Sequence, residues 1–316
     1  EGGLNKVFVG LGYRFSDALQ AGIEFQYNFG NVVNQGIVYD YDNDGELLQY
    51  QSQEYNRSDL SGTSLTLGLH YDKKLNEKDS IGYAIQFAQS DSEIGSSGSS
   101  IDSENLNISF YRSNPLDNNN FIEGLIGFGL IENDLIRING SNTLTGSRNG
   151  AQLFGSMSYG KTIDKDDFEI APTARIDLAY TELYAYTETG VDALSYSKQI
   201  IQSGLSLIGL KINNMTNFEN SHLKQFANVE YGLDFSNSSD SKMNYKANPS
   251  TKYVYNQSIN SNHFASLELG YEFVTNDNLN VLASYKRTQG NESEHSDQFK
   301  FQLSYISKKE TEYAMT

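Results

Sequence analysis

The sequence predicts an all-β protein, a transmembrane antiparallel up-and-down β-barrel of 12 to 14 strands with short periplasmic turns and long extracellular loops. Three observations carry that expectation. Apolar and polar residues alternate with period two in run after run, the polar links between runs alternate short and long, and aromatic residues gather at the short-link ends.

The runs follow in order. Residues 7–15 set Val7, Val9, Leu11, Tyr13 and Phe15 against Phe8, Gly10, Gly12 and Arg14. Residues 19–29 set Leu19, Ala21, Ile23, Phe25, Tyr27 and Phe29 against Gln20, Gly22, Glu24, Gln26 and Asn28. The pattern recurs in Leu65/Leu67/Leu69/Tyr71, Ile81/Tyr83/Ile85/Phe87, Leu106/Ile108/Phe110, Ile122/Ile126/Phe128/Leu130 and Leu153/Met157/Tyr159. In residues 168–180, Phe168, Ile170, Pro172, Ala174, Ile176, Leu178 and Tyr180 face one way, and Glu169, Thr173, Arg175 and Asp177 the other. A looser run covers 204–212. Ala227/Val229/Tyr231/Leu233/Phe235, Ala265/Leu267/Leu269/Tyr271/Phe273, Leu279/Val281/Ala283/Tyr285 and Phe299/Phe301/Leu303/Tyr305 complete thirteen strands. Successive strand side chains point to opposite faces, so each strand has an apolar and a polar row. About ten such residues, tilted by ~40°, cross the ~25 Å apolar band of an outer membrane.

Short links follow Phe15, Tyr71, Ser113, Lys161, Ile212 and Phe273; longer polar links fill 30–59, 90–104, 133–149, 187–197, 236–262 and 287–297. Tyr13, Phe15, Tyr71, Tyr159, Tyr271, Phe273 and Tyr305 lie toward the short-link rim, where an aromatic ring can be half in lipid with its polar tip wet. A soluble β-sandwich also alternates, but the loop rhythm and an inner row rich in Gly, Ser, Asn, Gln and charge favour a wet lumen. Single-chain bacterial barrels have even strand counts. Thirteen runs therefore imply either a partner strand ahead of the first or a first strand outside the closed wall, and leave 12 and 14 open.

Composition excludes other classes. The longest apolar run, LIGFGLI at 125–131, falls far short of the ~20 residues of a spanning helix. No cysteine is present, so neither a disulfide framework nor a thiol nucleophile is available. A net charge of -17 argues against a nucleic-acid partner. The chain starts at Glu1 and reads as a processed or excised piece.

Strand parity assigns Arg14, Glu24, His70, Glu123, Arg175, Asp177, Glu230, Asp234, Glu268, Glu272, Lys286 and Lys300 to the lumen, since facing lipid would cost several kcal/mol each. They line an ion-selective or passenger-guiding surface, or they brace the wall by salt bridges. Acids outnumber bases, which predicts mild cation preference. Asp40, Asp42 and Asp44 in DYDNDG have calcium-loop spacing, but the twelfth position is Gln51 and the flanks alternate, so a hairpin turn is the first reading and calcium the second. No cofactor is otherwise expected. Of the four histidines only His295 sits among carboxylates and serines, no G-x-S-x-G occurs, and an enzyme is not expected. Acidic exterior loops suggest contact with outer-membrane lipid and lipopolysaccharide through divalent cations.

From Ser64 onward the chain resembles the autotransporter β-domain, the translocator of type V secretion. Leu67-Gly68-Leu69-His70-Tyr71 and Ile81-Gly82-Tyr83-Ala84 to Ser90 match its opening strand pair. Ile170-Ala171-Pro172-Thr173-Ala174-Arg175 and Glu188-Thr189-Gly190 match its central Pro strand and the following Glu-x-Gly, and Ser203 with Ile208-Gly209 the next strand. Phe299-Lys300-Phe301-Gln302-Leu303-Ser304-Tyr305 matches its last, aromatic strand. The resemblance implies one outer-membrane barrel domain over 1–316, with 64–306 autotransporter-like and 307–316 a tail that departs from the family's terminal aromatic. It implies Gram-negative outer-membrane localisation and the export and anchoring of an upstream passenger, while the short links and the strand from Phe299 to Tyr305 predict a periplasmic C-terminus. It makes Phe299, Phe301, Leu303 and Tyr305 the strand read by the barrel-assembly machinery, and Glu188 a lumen residue near the pore constriction. A porin-like channel for small solutes or ions stays as the alternative.

Overall fold

The computed structural model describes residues 2–16, 18–41, 47–76, 79–95, 97–165, 168–257, 262–275, 279–291 and 295–305, and their side chains except at 2–6, 14, 31–41, 47–58, 257, 304 and 305. The strands are β1 (Gly2–Arg14), β2 (Leu19–Tyr41), β3 (Leu47–Lys74), β4 (Ser80–Ile94), β5 (Ser99–Pro115), β6 (Asn120–Asn139), β7 (Asn142–Lys161), β8 (Ile163–Lys165) and β9 (Phe168–Leu183). They continue as β10 (Tyr186–Thr187), β11 (Leu194–Tyr196), β12 (Gln199–Phe218), β13 (Ser221–Asp234), β14 (Ser239–Tyr245), β15 (Asn248–Gln257), β16 (His263–Thr275), β17 (Leu279–Gly290) and β18 (His295–Tyr305).

One antiparallel meander forms the wall, in the order β1-β2-β3-β4-β5-β6-β7-β9-β12-β13-β16-β17-β18, with β8 paired to β9 beside the path. All thirteen alternating runs are strands of that path. β1 and β18 stand at its two ends, close together but without ladder pairing. With thirteen strands they run in the same direction, whereas β2 and β18 run oppositely.

Side chains on the two faces follow parity. Ile126 (57% exposed), Met157 (56%) and Ile208 (62%) stand on the outside, while polar Ser266 on the inside is 5% exposed. Water would drive the opposite arrangement; hydrocarbon around the sheet accounts for this one. Among the described residues no helix is long and apolar enough to cross a membrane; the backbone groups of the wall strands pair with their neighbours.

The polar links set down as loops at 90–104 and 133–149 are instead mostly strand. β4 and β5 pair out to Ile94↔Ser99, and β6 and β7 to Asn139↔Asn142. β2 and β3 likewise pair through Tyr39↔Gln51 and Tyr41↔Leu47, the frame of the expected hairpin. Above the lipid no apolar row is needed, so the alternation fades while the backbone ladder continues. β6 and β7, of 20 residues each, reach roughly 65 Å at ~3.3 Å per residue, well beyond the apolar band.

The links at 187–197 and 236–262 make a second sheet, ordered β10-β11-β14-β15. It lies against β7 through β10 and against β12 through β14. The contacted wall residues, Gly146 and Gln199 among them, have inward parity, so this sheet sits inside the perimeter of the mouth.

Candidate functional site

The inner face carries the charged groups that parity assigns to it. Two residues apart on β9, Arg175 Nε lies 3.0 Å from Asp177 Oδ2, and across β12 Arg175 Nη1 lies 3.9 Å from Glu230 Oε1 on β13. Lys286 Nζ, from β17, reaches Glu230 Oε2 at 3.4 Å. Ser156 Oγ donates to Asp177 at 2.5 Å and Ser266 Oγ to Glu230 at 3.4 Å. This band ties β7, β9, β13, β16 and β17 together across the lumen surface. Glu123 accepts from Ser113 and Ser158, Glu268 from Asn228, Glu272 from Asn280, and Glu24 from Gln26. His70 hydrogen-bonds the hydroxyl of Tyr111. Asp234 accepts from the backbone N–H of Ser236, and Lys300 pairs in register with Ser284. Toward the short-turn rim a chamber is lined by Glu123, Arg175, Lys211, Glu230 and Leu207. The ion pairs and hydrogen bonds brace the wall across its polar inner face.

The side chains of Arg14, Asp40 and Tyr305, and the whole of Asp42 and Asp44, lie outside the described residues. Among the described residues no group of three His, Asp or Glu side chains is arranged to hold a metal ion. Phe299, Phe301 and Leu303 form the outward row of β18 and are highly exposed (78%, 71% and 60%), because β18 has a partner on one side only.

Glu188 is not on the wall at mid-height. It follows β10, above the apolar band, with its side chain 5% exposed. Arg137, on the inner face of β6 near its long-link end, donates from Nε to Oε1 at 2.9 Å and from Nη2 to Oε2 at 2.6 Å. The Leu194 backbone N–H adds a third bond at 2.9 Å. The resemblance places Glu188 near a constriction; the chain places it in a cover at the long-link end of the wall because residues 184–198 fold back over β6 and β7. Gly190, at φ 112°, makes the bend that L side chains rarely adopt, and Thr145 and Thr189 bridge beside it.

A second arginine joins the cover. Arg148 donates to the carbonyls of Tyr184 (3.0 Å) and Ser197 (3.2 Å) and to Oε1 of Gln199 (3.2 Å). Its guanidinium lies 5.5 Å from the centroid of the Tyr186 ring, which stacks on Tyr196 at 4.7 Å and 4°. Burial first, then neighbouring Tyr196 and Glu188, push the Tyr186 hydroxyl well above the usual tyrosine range. Burial and Glu188 raise Tyr196 also. Gln199 donates to Ser239 Oγ at 3.0 Å, and Ser239 to the Ile200 carbonyl at 2.9 Å, which joins the two long links. Sequence reasoning stops short of Arg137, Arg148, Gln199 and Ser239. The available signal is inward parity, read past the apolar rows of β6 and β7.

Aromatics on the inner face are a further addition. Phe154 lies over Gly127, so closely that a Cβ there would stand 2.3 Å from the ring; Phe121 over Gly160, Phe226 over Gly270 and Phe264 over Gly232 repeat this. In register each pair is a cross-strand neighbour, Gly127↔Phe154 for example, so the ring fills the gap beside the glycine.

An apolar outer face around a charged, hydrogen-bonded inner face defines a transmembrane β-barrel of the outer-membrane type. The family model of the autotransporter β-domain matches residues 44–286, and the chain belongs to that family. It is an outer-membrane translocator barrel, the family implies a passenger domain upstream, and the porin-like alternative is not favoured. The chain is similar in fold to the translocator domain of autotransporter NalP from Neisseria meningitidis, with TM-score 0.60, 14% identity, and 92% of this chain and 89% of that one covered. Also similar are the β-domain of the Bordetella autotransporter BrkA (TM-score 0.49, 13% identity, 91% and 98% covered) and the transport unit of AIDA-I from Escherichia coli (0.49, 10%, 93% and 91%). Comparison with curated protein sequences gives no match.

Proposed function

We propose that the lumen conveys the upstream passenger to the cell exterior and that the barrel then anchors it. The observation that carries this is the ion-paired inner band of Arg175, Asp177, Glu230 and Lys286. Such a surface is wet and offers a passing chain both signs of charge. In this reading the C-terminus is periplasmic, because the short turns and the aromatic row at Tyr13, Tyr71, Tyr159 and Tyr271 mark that rim. Phe299, Phe301, Leu303 and Tyr305 serve the barrel-assembly machinery. Lipopolysaccharide contacts the exterior wall. The barrel acts without a catalytic group or cofactor.

The test is an epitope placed upstream of Glu1 and read with antibody on intact cells. Surface labelling that is lost when the barrel is deleted is the expected result. An assembled barrel with the epitope held in the periplasm overturns the reading.

A further inference from the structure

We propose that the four-stranded sheet β10-β11-β14-β15 is a latched lid on the exterior mouth, with Arg137 and Arg148 as the wall's half of the latch. The proposal adds a gate to the export reading and takes from that reading only the identity of what crosses.

The lid is a body in its own right. β10 and β11 pair through Tyr186↔Tyr196 and Thr187↔Ser195, β11 and β14 through three residues, and β14 and β15 along the hairpin. Backbone bonds from Ser197 N–H to the Lys242 carbonyl (2.9 Å) and from Lys246 N–H to the Ala193 carbonyl (2.8 Å) join the two long links further. Those ladders can persist whether or not the sheet rests on the wall.

Its two margins are held differently. On one side the chain enters and leaves through β9, β12, β13 and β16, so attachment there is covalent, reinforced by Gln199 and Ser239. On the other, β6 and β7 meet the lid only through contacts that can be broken. Arg137 grips Glu188, Arg148 binds the carbonyls of Tyr184 and Ser197, and Thr145 pairs with Thr189. Leu144 is the one large apolar side chain, among the described residues, sealed completely beneath it. A margin made of charge-assisted bonds and little apolar area is strong in place and readily re-solvated when lifted. Arg137 is one-third exposed, so water can take over its charge at once. The inward parity of Arg137, Leu144, Gly146 and Arg148 puts the closed lid inside the mouth, in space that a passing chain needs.

The chain has no cysteine, so one engineered pair reports cleanly. Thr145 and Thr189 exchange both backbone bonds, at 3.3 and 2.8 Å. Residues paired in that way have Cα atoms ~5.5 Å apart, which suits a disulfide. The full chain carrying Thr145→Cys and Thr189→Cys is placed in a planar bilayer and its conductance recorded before and after reduction. Oxidation should hold the low-conductance state, and reduction should restore the parent's openings. Glu188→Gln and Arg137→Ala, measured beside it, should raise the time spent in the open state by about tenfold. The oxidised pair gives up the Thr145 and Thr189 hydroxyl hydrogen bonds but keeps the Arg137 and Arg148 contacts, so it answers even where a latch variant fails to insert. Conductance within twofold of the parent in the oxidised pair and in the latch variants overturns the lid. The assay reads ions and needs no passenger, so failure of export leaves this result standing, and the reverse.

Discussion

Ile126 and Leu125 are neighbours on β6 that face opposite ways, and one charge placed at each tests the orientation of the whole wall. Ile126 lies at the centre of the apolar stretch Ile122 to Leu130 on the outer row of β6, 57% exposed. In a water-soluble protein, lysine at so exposed a site would change stability by less than ~0.5 kcal/mol. On a lipid face near the midplane a lysine costs about 2–4 kcal/mol, a factor of roughly 30 to 1000 in the folding equilibrium. Leu125 points into the lumen chamber, where Glu123 and Glu230 also stand. Leu125→Lys exchanges modest apolar contact for attraction to two carboxylates, and its net cost should stay within ~1 kcal/mol. Reversible urea unfolding in phospholipid vesicles measures both, each against the parent. The expected order is Ile126→Lys far worse than Leu125→Lys. Equal costs, or a reversed order, would refute the assignment of the apolar row to lipid.

Three other expectations follow from the structure. Gly127→Ala puts a methyl into the Phe154 ring and should cost about 1–3 kcal/mol; adding Phe154→Leu should return most of it, as a double-mutant cycle in the same unfolding assay would show. Tyr186 and Tyr196 are held protonated in the closed lid, with pKa values above the ordinary 10.0. A raised folded-state pKa gives stability that is complete below pH 10 and is lost as pH rises through the folded value, because the open lid releases the protons first. Conductance should therefore stay flat up to pH 10 and rise as pH climbs above it, and Tyr186→Phe should weaken that rise. The lumen carries more carboxylates than basic groups on its inner row, so reversal potentials across a salt gradient should show mild cation selectivity; anion selectivity would contradict the charge count.

The wall was legible because lipid on one side and water on the other impose period two over every crossing segment. Val7 to Phe15 and Phe299 to Tyr305 announce themselves at the two ends of the chain by that rule alone. The charged lumen residues follow from the same parity, and Arg175, Asp177, Glu230 and Lys286 stand on the face it gives them. Who pairs with whom does not follow. Arg175 bonds Asp177 two residues away, yet Glu230 takes Lys286 from 56 residues on, a choice made by how neighbouring strands align. Glu188 was found as a motif and set at the wrong height, since a loop's return path leaves no periodic trace.

The sequence by itself determined the crossing strands, their number on the path, and which face of each meets lipid, because those depend on side-chain alternation that each segment carries alone. Only the tertiary structure decided that two long links pair with each other as β10, β11, β14 and β15, that Arg137 and Arg148 hold them, and that phenylalanines fill the gaps beside lumen glycines. Those features are contacts between residues far apart in the chain. They exist only once the register of the wall has brought the partners to the same place.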